Sequence, residues 1–497
     1  MTSAVADHDV ESNAWRDIRL PGWVDPEVVF LALFGHRDHA FWLDGGAGAR
    51  AGVSYLGAPG ADDRIIEVSS DGAGTRVRTG GSGAVTLDGR DVFDYLAASL
   101  DDAAPGSPGF GSPPPGFVGG WVGWFGYELG AREVGSPTRR SPYPDAAFMF
   151  VDRVVVFDHE AHAVSLRVRS DARGADSWVD SMAGDIERLA STPRQRPAVG
   201  RPTIAVLHRS REDYLGMLRA CRTAIDNGDA YQICLTNEMR VRTTDDPLEV
   251  YRRLRRTNPS HHGGFIRFGA MSLLSSSPEQ FLRITPAGEV VTRPIKGTRA
   301  RSVDPAVDDE QRRALLASEK ERAENVMIVD LMRNDLARTA VVGSVSVPDL
   351  FRVESYANVH QLVSTVTATL GDGFTPLDVV RTTLPAGSMS GAPKRSAMTI
   401  LDRLEGRPRG LYSGTFGYVG VDGSVDLAMI IRSIVLSGGE ATLGVGGGIT
   451  TLSVDADEFD ETILKAEPLL RALNARLVDD GADEGADDGA DEGKEPA

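Results

Sequence analysis

An α+β fold, with large twisted antiparallel sheets flanked by helices, is the class that this 497-residue sequence predicts. Three observations predict it. Paired apolar–polar alternations around short polar turns mark antiparallel hairpins. Amphipathic stretches of helical length stand among them. No dinucleotide-binding glycine fingerprint and no phosphate-binding loop of the right spacing is present, so nothing speaks for a doubly wound parallel sheet.

In chain order, the opening MTSAVADHDVESNAW has neither a basic start nor an apolar run, and no leader is expected. A proline-rich loop, APGSPGFGSPPPGF (104–117), interrupts the first half. GFVGGWVGWFGYELG (116–130) reads as a strand entering a close-packed sheet, because glycine is costly in helices. RVVVFDHEAHAVSLRVR (153–169) is two alternating runs about a polar turn, a hairpin. A second break, STPRQRPAVGRPT (191–203), divides a β-rich segment, 13–190, from a mixed segment, 200–477. In the mixed segment, 308–338 has helical periodicity for most of its length. The stretch 414–450 reads as a meander with an Asp-Gly turn at 422–423 and a Gly-Gly turn at 438–439. DADEFDETILKAEPLLRAL (455–473) closes it as an amphipathic helix, and 478–497 is a Gly/Ala/acid repeat expected to be disordered.

Composition bounds the function. Apolar content of 41% supports a full core. The net charge of −18 argues against a nucleic-acid partner, although nine acids and one lysine from Asp479 onward supply −8 of it. No run is long and apolar enough to span a membrane. Cys221 and Cys234 fit neither a disulfide framework nor a metal-ligand spacing. A soluble, cytoplasmic protein is expected.

Positive charge in this chain is arginine: 48 against five lysines. Lys296, in RPIKGTRAR (293–301), therefore draws notice, since a lysine amine can lose its proton when desolvated and attack an electrophile. An ordinary salt-bridged lysine is the alternative. Two helical stretches carry acid pairs three residues apart, Glu321 with Glu324 and Glu458 with Glu461, each pair on one face. Four such carboxylates would seat Mg²⁺, although spacing alone favours a solvated surface, and Lys465 lies in salt-bridge register with Glu461. Arg432, read as lying inside an apolar strand, needs a carboxylate from the protein or from a ligand. Gly446, Gly447 and Gly448, placed after the last strand, could hold an anion on backbone amides. Glu279 and His360 are acid–base candidates, each weak alone.

Together these stretches resemble the chorismate-utilising enzymes, and within them the aminodeoxychorismate synthase component I subfamily. The residues that carry the resemblance are GDAYQICLTNE (228–238), SSSPEQFL (275–282), RPIKGTRAR (293–301), AENVMIVDLMRNDLAR (323–338), GSVSVPDLFRVESYANVHQLVSTV (343–366), AGSMSGAPK (386–394), SGTFGYVG (413–420), IRSIV (431–435), GVGGGI (444–449) and DEFDETILKA (457–466). The match runs from about 205 to 473, with a looser echo in FWLDGG (41–46) and GGWVGWFGYELG (119–130).

The resemblance implies that 200–477 is a chorismate-binding catalytic domain and that Mg²⁺ is its cofactor. It implies Glu324 and Glu461 as metal ligands, with Glu321 and Glu458 beside them. Tyr418, Arg432 and the amides of Gly446–Gly448 would bind the enolpyruvyl carboxylate. Ser388 would lie beside the ring, His360 beside the face from which hydroxyl departs, and Glu279 would protonate the leaving 4-hydroxyl. Gln232 stands where water-using members carry a lysine base, which disfavours attack by water. Lys296 stands where anthranilate synthases carry alanine, and the resemblance implies a covalent nucleophile that attacks C2 before ammonia enters at C4. Burial near Arg293 or Arg299 is expected to favour its neutral amine. Ile233-Cys234 departs from many relatives, and Trp42-Leu43-Asp44-Gly45 replaces the element tied to tryptophan feedback in anthranilate synthases. With no signature of a glutamine-hydrolysing domain, a separate glutamine amidotransferase partner, and so a heterodimer, is implied. The product would lead toward 4-aminobenzoate and folate. Anthranilate synthase component I and a non-catalytic chorismate-binding paralogue are the alternatives.

Overall fold

The computed structural model describes residues 15–60, 64–69, 75–78, 85–101, 116–356 and 359–478. The acidic repeat from 479 and most of the proline-rich loop at 104–117 lie outside the described residues. Among those described, no helix is long and apolar enough to cross a membrane.

Two large sheets, of 13 and 12 strands among the described residues, lie face to face. Their facing sides share one apolar cluster that includes Phe41, Ile266 and Val435 from the first sheet and Trp124, Phe416 and Tyr418 from the second. The outer face of the first sheet packs on helices Arg211–Asp226, Pro247–Thr257 and Asp455–Ala472. The outer face of the second packs on Val92–Asp101, Glu319–Ala337 and Pro376–Thr383. Helices thus cover both outer faces, and the α+β class holds.

The break at 191–203 does not separate two structural units. Strand His39–Asp44 pairs with His262–Phe268 in one sheet, and Gly120–Phe125 pairs with Thr415–Gly420 in the other. Each sheet therefore needs strands from both halves of the sequence. A proline-rich break marks where the chain leaves regular structure, but it cannot report with which strands the flanking segments pair.

Local expectations fare well. The glycine-rich aromatic stretch supplies strand Gly120–Phe125, buried throughout, but against the strand reading its end turns at Gly126 into helix Tyr127–Glu133. A Cβ on Gly123 would fall 1.9 Å from the Ala147 carbonyl oxygen, so only glycine permits that strand spacing. The 153–169 hairpin and the closing helix form as expected. The helical run 308–338 divides into Pro305–Ala317 and Glu319–Ala337 at Ser318, whose hydroxyl accepts the Glu321 amide as N-cap of the second.

The 414–450 meander divides between sheets. Strands Thr415–Gly420 and Val425–Met429 belong to the second sheet, and Ser433–Ser437 and Glu440–Ile449 to the first. The chain crosses between them at 430–432. Arg432 therefore lies in the crossover, not inside a strand, with a left-handed backbone of φ 48°. The second difference is that Gly446–Gly448 lie within the last strand, paired with Thr236, Leu235 and Cys234.

Candidate active site

Lys296 sits on strand Ile295–Ala300, which pairs with Val359–Thr369 through a register shift between Ile295 and Thr298. Gly297, at φ 81°, occupies the shift, and a Cβ there would meet Leu315 and the Glu321 carboxylate at 2.8 and 2.9 Å. The bulge re-aims the Lys296 side chain out of the pleat. Its Nζ lies 3.7 Å from Glu324 Oε2.

Gly448 is the floor on which the site is assembled. A Cβ at that position would fall 2.6 Å from Gln232 Nε2, 3.1 Å from Lys296 Nζ and 3.2 Å from Glu324 Oε2. Three functional groups from two strands and a helix thus converge on a residue with no side chain. Gln232 is fully buried, yet neither its amide nitrogen nor its amide oxygen has a hydrogen-bond partner. Unsatisfied buried amides are costly, and two on one side chain in a cleft point to a ligand.

Glu279 follows strand Met271–Ser277 and is fixed by its own carbonyl, which accepts from the Met429 amide at 3.0 Å. The Ser388 hydroxyl, on the short turn Gly387–Met389, donates to Glu279 Oε1 at 3.0 Å. Burial pushes the carboxyl up to about 7, against the opposing pull of Lys296, Ser388 and the Ile295 amide. A carboxyl poised near neutrality suits proton donation.

The expected neutrality of Lys296 is not met. Burial is the strongest single influence and favours the neutral amine, but Glu324, Cys234, Glu279 and Glu321 together lift its pKa above the ordinary lysine value. Neither arginine expected to repel the proton is free to do so. Arg293 pairs with Glu354, and Arg299 lies 3.8 Å from Glu321.

One acid of each pair is buried away from solvent. Glu324 and Glu458 are 5% and 3% exposed, and Lys320 Nζ stands between them, 3.9 Å from Glu324 Oε1 and 2.7 Å from Glu458 Oε1. The other two acids are set apart. Glu321 faces Arg299, and Glu461, with a side chain 49% exposed, pairs with Lys465 at 2.9 Å. Among the described residues no three acids, histidines or cysteines converge as a ready metal seat. The donor chemistry still fits a hard divalent cation, which takes one or two carboxylates and fills its shell with water and substrate oxygens. The Glu324–Glu458 pair, already bridged by a cation, is where the residues fit it best.

Three predicted residues stand differently. Arg432 has no acceptor facing its guanidinium among the described residues, and burial alone lowers its pKa. No protein carboxylate pairs with it among the described residues. His360 donates or accepts at both ring nitrogens, with Ser355 Oγ at 2.8 Å and Asp308 Oδ1 at 3.0 Å, and so tethers helix Pro305–Ala317 to the sheet. Among the described residues its ring nitrogens bond to these two groups, and it stands on the strand that pairs with the one carrying Lys296. Tyr418 packs between the sheets against Phe117, with ring centroids 4.6 Å apart, and against Tyr55. Gly446–Gly448, being strand, offer a flat floor where an open nest of amides was expected.

Sequence reasoning missed Tyr412 and Lys320. The Tyr412 ring covers Gly444, where a Cβ would fall 2.0 Å from it, in the same glycine-bearing strand as Gly448. With Arg407, Tyr143 and Thr442 it lines a small cleft at the Gly444 end of that strand, apart from the residues that meet over Gly448. The glycine at alternate positions 444, 446 and 448 was the available signal, since side-chain-free positions on one face of a strand ask what covers them.

Known proteins resemble this chain over most of its length. The chain is 42% identical over 92% of its length to an aminodeoxychorismate synthase of Streptomyces griseus, of which it spans 64%. It is 36% identical over 83% of its length to aminodeoxychorismate synthase component 1 of Salmonella typhimurium, covering 88% of that protein. The crystal structure of anthranilate synthase component I from Streptococcus pneumoniae superposes with a TM-score of 0.72 at 30% identity, over 92% of this chain and all of that one. The pattern of chorismate binding enzymes matches residues 63–471, which include Gln232, Glu279, Lys296, Glu324, Arg432 and Gly448. With that match spanning both sheets and the whole cluster about Gly448, the chain belongs to the chorismate binding enzyme family.

Proposed function

We propose that the chain aminates chorismate at C4, giving 4-amino-4-deoxychorismate on the way to 4-aminobenzoate and folate, with ammonia from a glutamine amidotransferase partner. The observation that carries this reading is the convergence on Gly448: a lysine amine lies where a ring must rest, and a glutamine with unused hydrogen-bonding capacity lies beside it. The similarity to two proteins named aminodeoxychorismate synthase supports it, and the "component 1" in one name supports a partner.

The residues divide the work as follows. Arg432 binds a substrate carboxylate, which supplies the anion its guanidinium lacks. Gln232 orients the ring by hydrogen bonds and cannot act as a base toward water. Lys296 attacks C2, the ring double bond shifts, and the C4–O bond breaks as Glu279 delivers its proton, so hydroxide leaves as water. The proton that Lys296 loses on attack restores Glu279. Ammonia then bonds to C4, the double bond shifts back, and the C2–N bond breaks as the surplus proton on the new C4 ammonium passes to the lysine nitrogen. Net, chorismate and ammonia give the amine and water. Ser388 holds Glu279 in place. Mg²⁺ on Glu324 and Glu458, with Glu461 and Glu321 near, would supply a grip on the ring carboxylate and would loosen Glu324's hold on the Lys296 proton.

Chorismate, Mg²⁺ and an ammonium salt at mildly alkaline pH, with products resolved by mass spectrometry, test the reading. The wild type is expected to give 4-amino-4-deoxychorismate, and Lys296→Ala is expected to lower its formation by at least about 100-fold. Anthranilate or isochorismate from the wild type would reject it.

A further inference from the structure

We infer that Lys320 is a built-in counter-cation for the acidic seat, occupying the place between Glu324 and Glu458 that a divalent cation takes and swinging out when that cation binds. The inference rests on the magnesium reading above and goes beyond it, because it makes metal uptake an exchange and not a simple addition.

Three features of Lys320 lead there. First, its position is poor for the helix that bears it. It lies in the first turn of Glu319–Ala337, where the helix dipole disfavours a positive charge. Its closest partner comes from outside the helix: Glu458 on helix Asp455–Ala472, at 2.7 Å. Secondly, two nearly buried carboxylates cannot face each other without a cation, and the Lys320 ammonium reaches both. Thirdly, it has an exit. Its side chain is 31% exposed, although the acids it bridges are buried.

The neighbouring lysines differ on the same points. Lys296 is buried on the bulged strand. Lys465 is held by the Gly446 carbonyl at 2.9 Å as well as by the exposed Glu461. Among the described residues, Lys320 has no partner except the two carboxylates. Three of the five lysines in an arginine-rich chain thus ring this seat. A compact ammonium can stand in for a small cation where a planar guanidinium cannot.

Exchange has a consequence for substrate. One positive charge leaves and two arrive, so the seat gains one charge, which a substrate carboxylate neutralises. Metal and a carboxylated ligand are then expected to bind cooperatively, each weakly without the other.

Isothermal titration of Mg²⁺ into the full chain, wild type against Lys320→Met, tests this without any turnover. Removing the competing ammonium is expected to tighten Mg²⁺ binding by about tenfold, as the loss of one close charge competitor implies. Unchanged or weaker binding by the variant would overturn the inference. A second measurement needs no stable variant. With ¹⁵N-lysine labelling, only five ammonium signals exist in the wild type, and Mg²⁺ is expected to release one of them into fast solvent exchange. A spectrum in which Mg²⁺ binds and every ammonium stays protected would reject the exchange. No Mg²⁺ uptake by either protein would remove the metal reading, and this inference with it, while leaving the C4 amination test separately answerable.

Discussion

Two buried ionic clusters touch strand Gln232–Arg242, and they are built by opposite rules. Around Arg409 the guanidinium is saturated: it meets Glu405 at 2.9 and 2.7 Å, the Met389 carbonyl at 2.6 Å and the Cys234 carbonyl at 2.8 Å. Glu405 in turn accepts from the Thr236 amide and hydroxyl, and the Tyr127 ring lies 4.4 Å from the guanidinium carbon. Around Lys296 the accounts stay open. Its nearest carboxylate oxygen is 3.7 Å away, and Gln232 has two unused polar atoms. A saturated buried network fixes architecture, whereas an unsaturated one is complete only with a ligand in it. The difference separates structural charge from functional charge without reference to any relative.

The sharpest way to break that comparison is to remove one charge from each cluster. Arg409→Met leaves Glu405 buried and uncompensated, so unfolding free energy from urea titration is expected to fall by about 3–5 kcal/mol. Lys296→Met removes a charge already poorly paired, and the same titration is expected to move by no more than about 1 kcal/mol in either direction. Equal losses in the two variants would show that the Lys296 cluster is structural after all.

A finer test leaves every charge in place. Gly448→Ala puts a methyl among Gln232, Lys296 and Glu324, whose polar ends are long and flexible enough to retreat. The fold is expected to survive, with a melting temperature near that of the wild type. Turnover of chorismate is expected to drop by about 100-fold, the usual result of displacing reacting groups by about an ångström. Full activity would mean that substrate does not rest on this floor.

The smallest effect concerns Glu279. Its folded pKa of about 7 lies above its value in the unfolded chain, so the folded state holds the extra proton. The stability this contributes is whole below about pH 4.5 and is lost as pH rises through about 7. Glu279→Gln is expected to flatten the wild-type decline over that window by something on the order of 2 kcal/mol, read from denaturant midpoints at successive pH values. A parallel decline in both proteins would place the titrating group elsewhere, with Glu128, whose pKa burial also pushes up to about 7, the first to examine.

Much of this was legible in the chain, and the failures share a cause. Lys296 stood out because an arginine-rich sequence uses so few lysines, and Glu279 and Gln232 because their motifs are local. The residues whose surroundings the chain did not give are those whose meaning depends on which way a side chain points. Tyr418 alternates with Gly417 on a strand of the second sheet, and only the packing of Phe117 and Tyr55 against it gives that face to the core. His360 is one residue from any other face of its strand, and the Asp308–Ser355 clamp decides which. A shift of one residue along a strand exchanges the two faces, and no local pattern in these buried strands distinguishes them.

By itself, then, the sequence determined the elements: where hairpins turn, where helices start, which segments are amphipathic, and which residue types carry chemistry. Those follow from backbone preference and short-range periodicity, which neighbouring residues set. The tertiary structure alone decided that strands from both halves share each sheet, that Arg432 sits at the crossover between them, and that Lys320 bridges two buried acids from different helices. Pairing across more than a hundred residues, and the burial that makes a charge costly or useful, are properties of the folded chain as a whole.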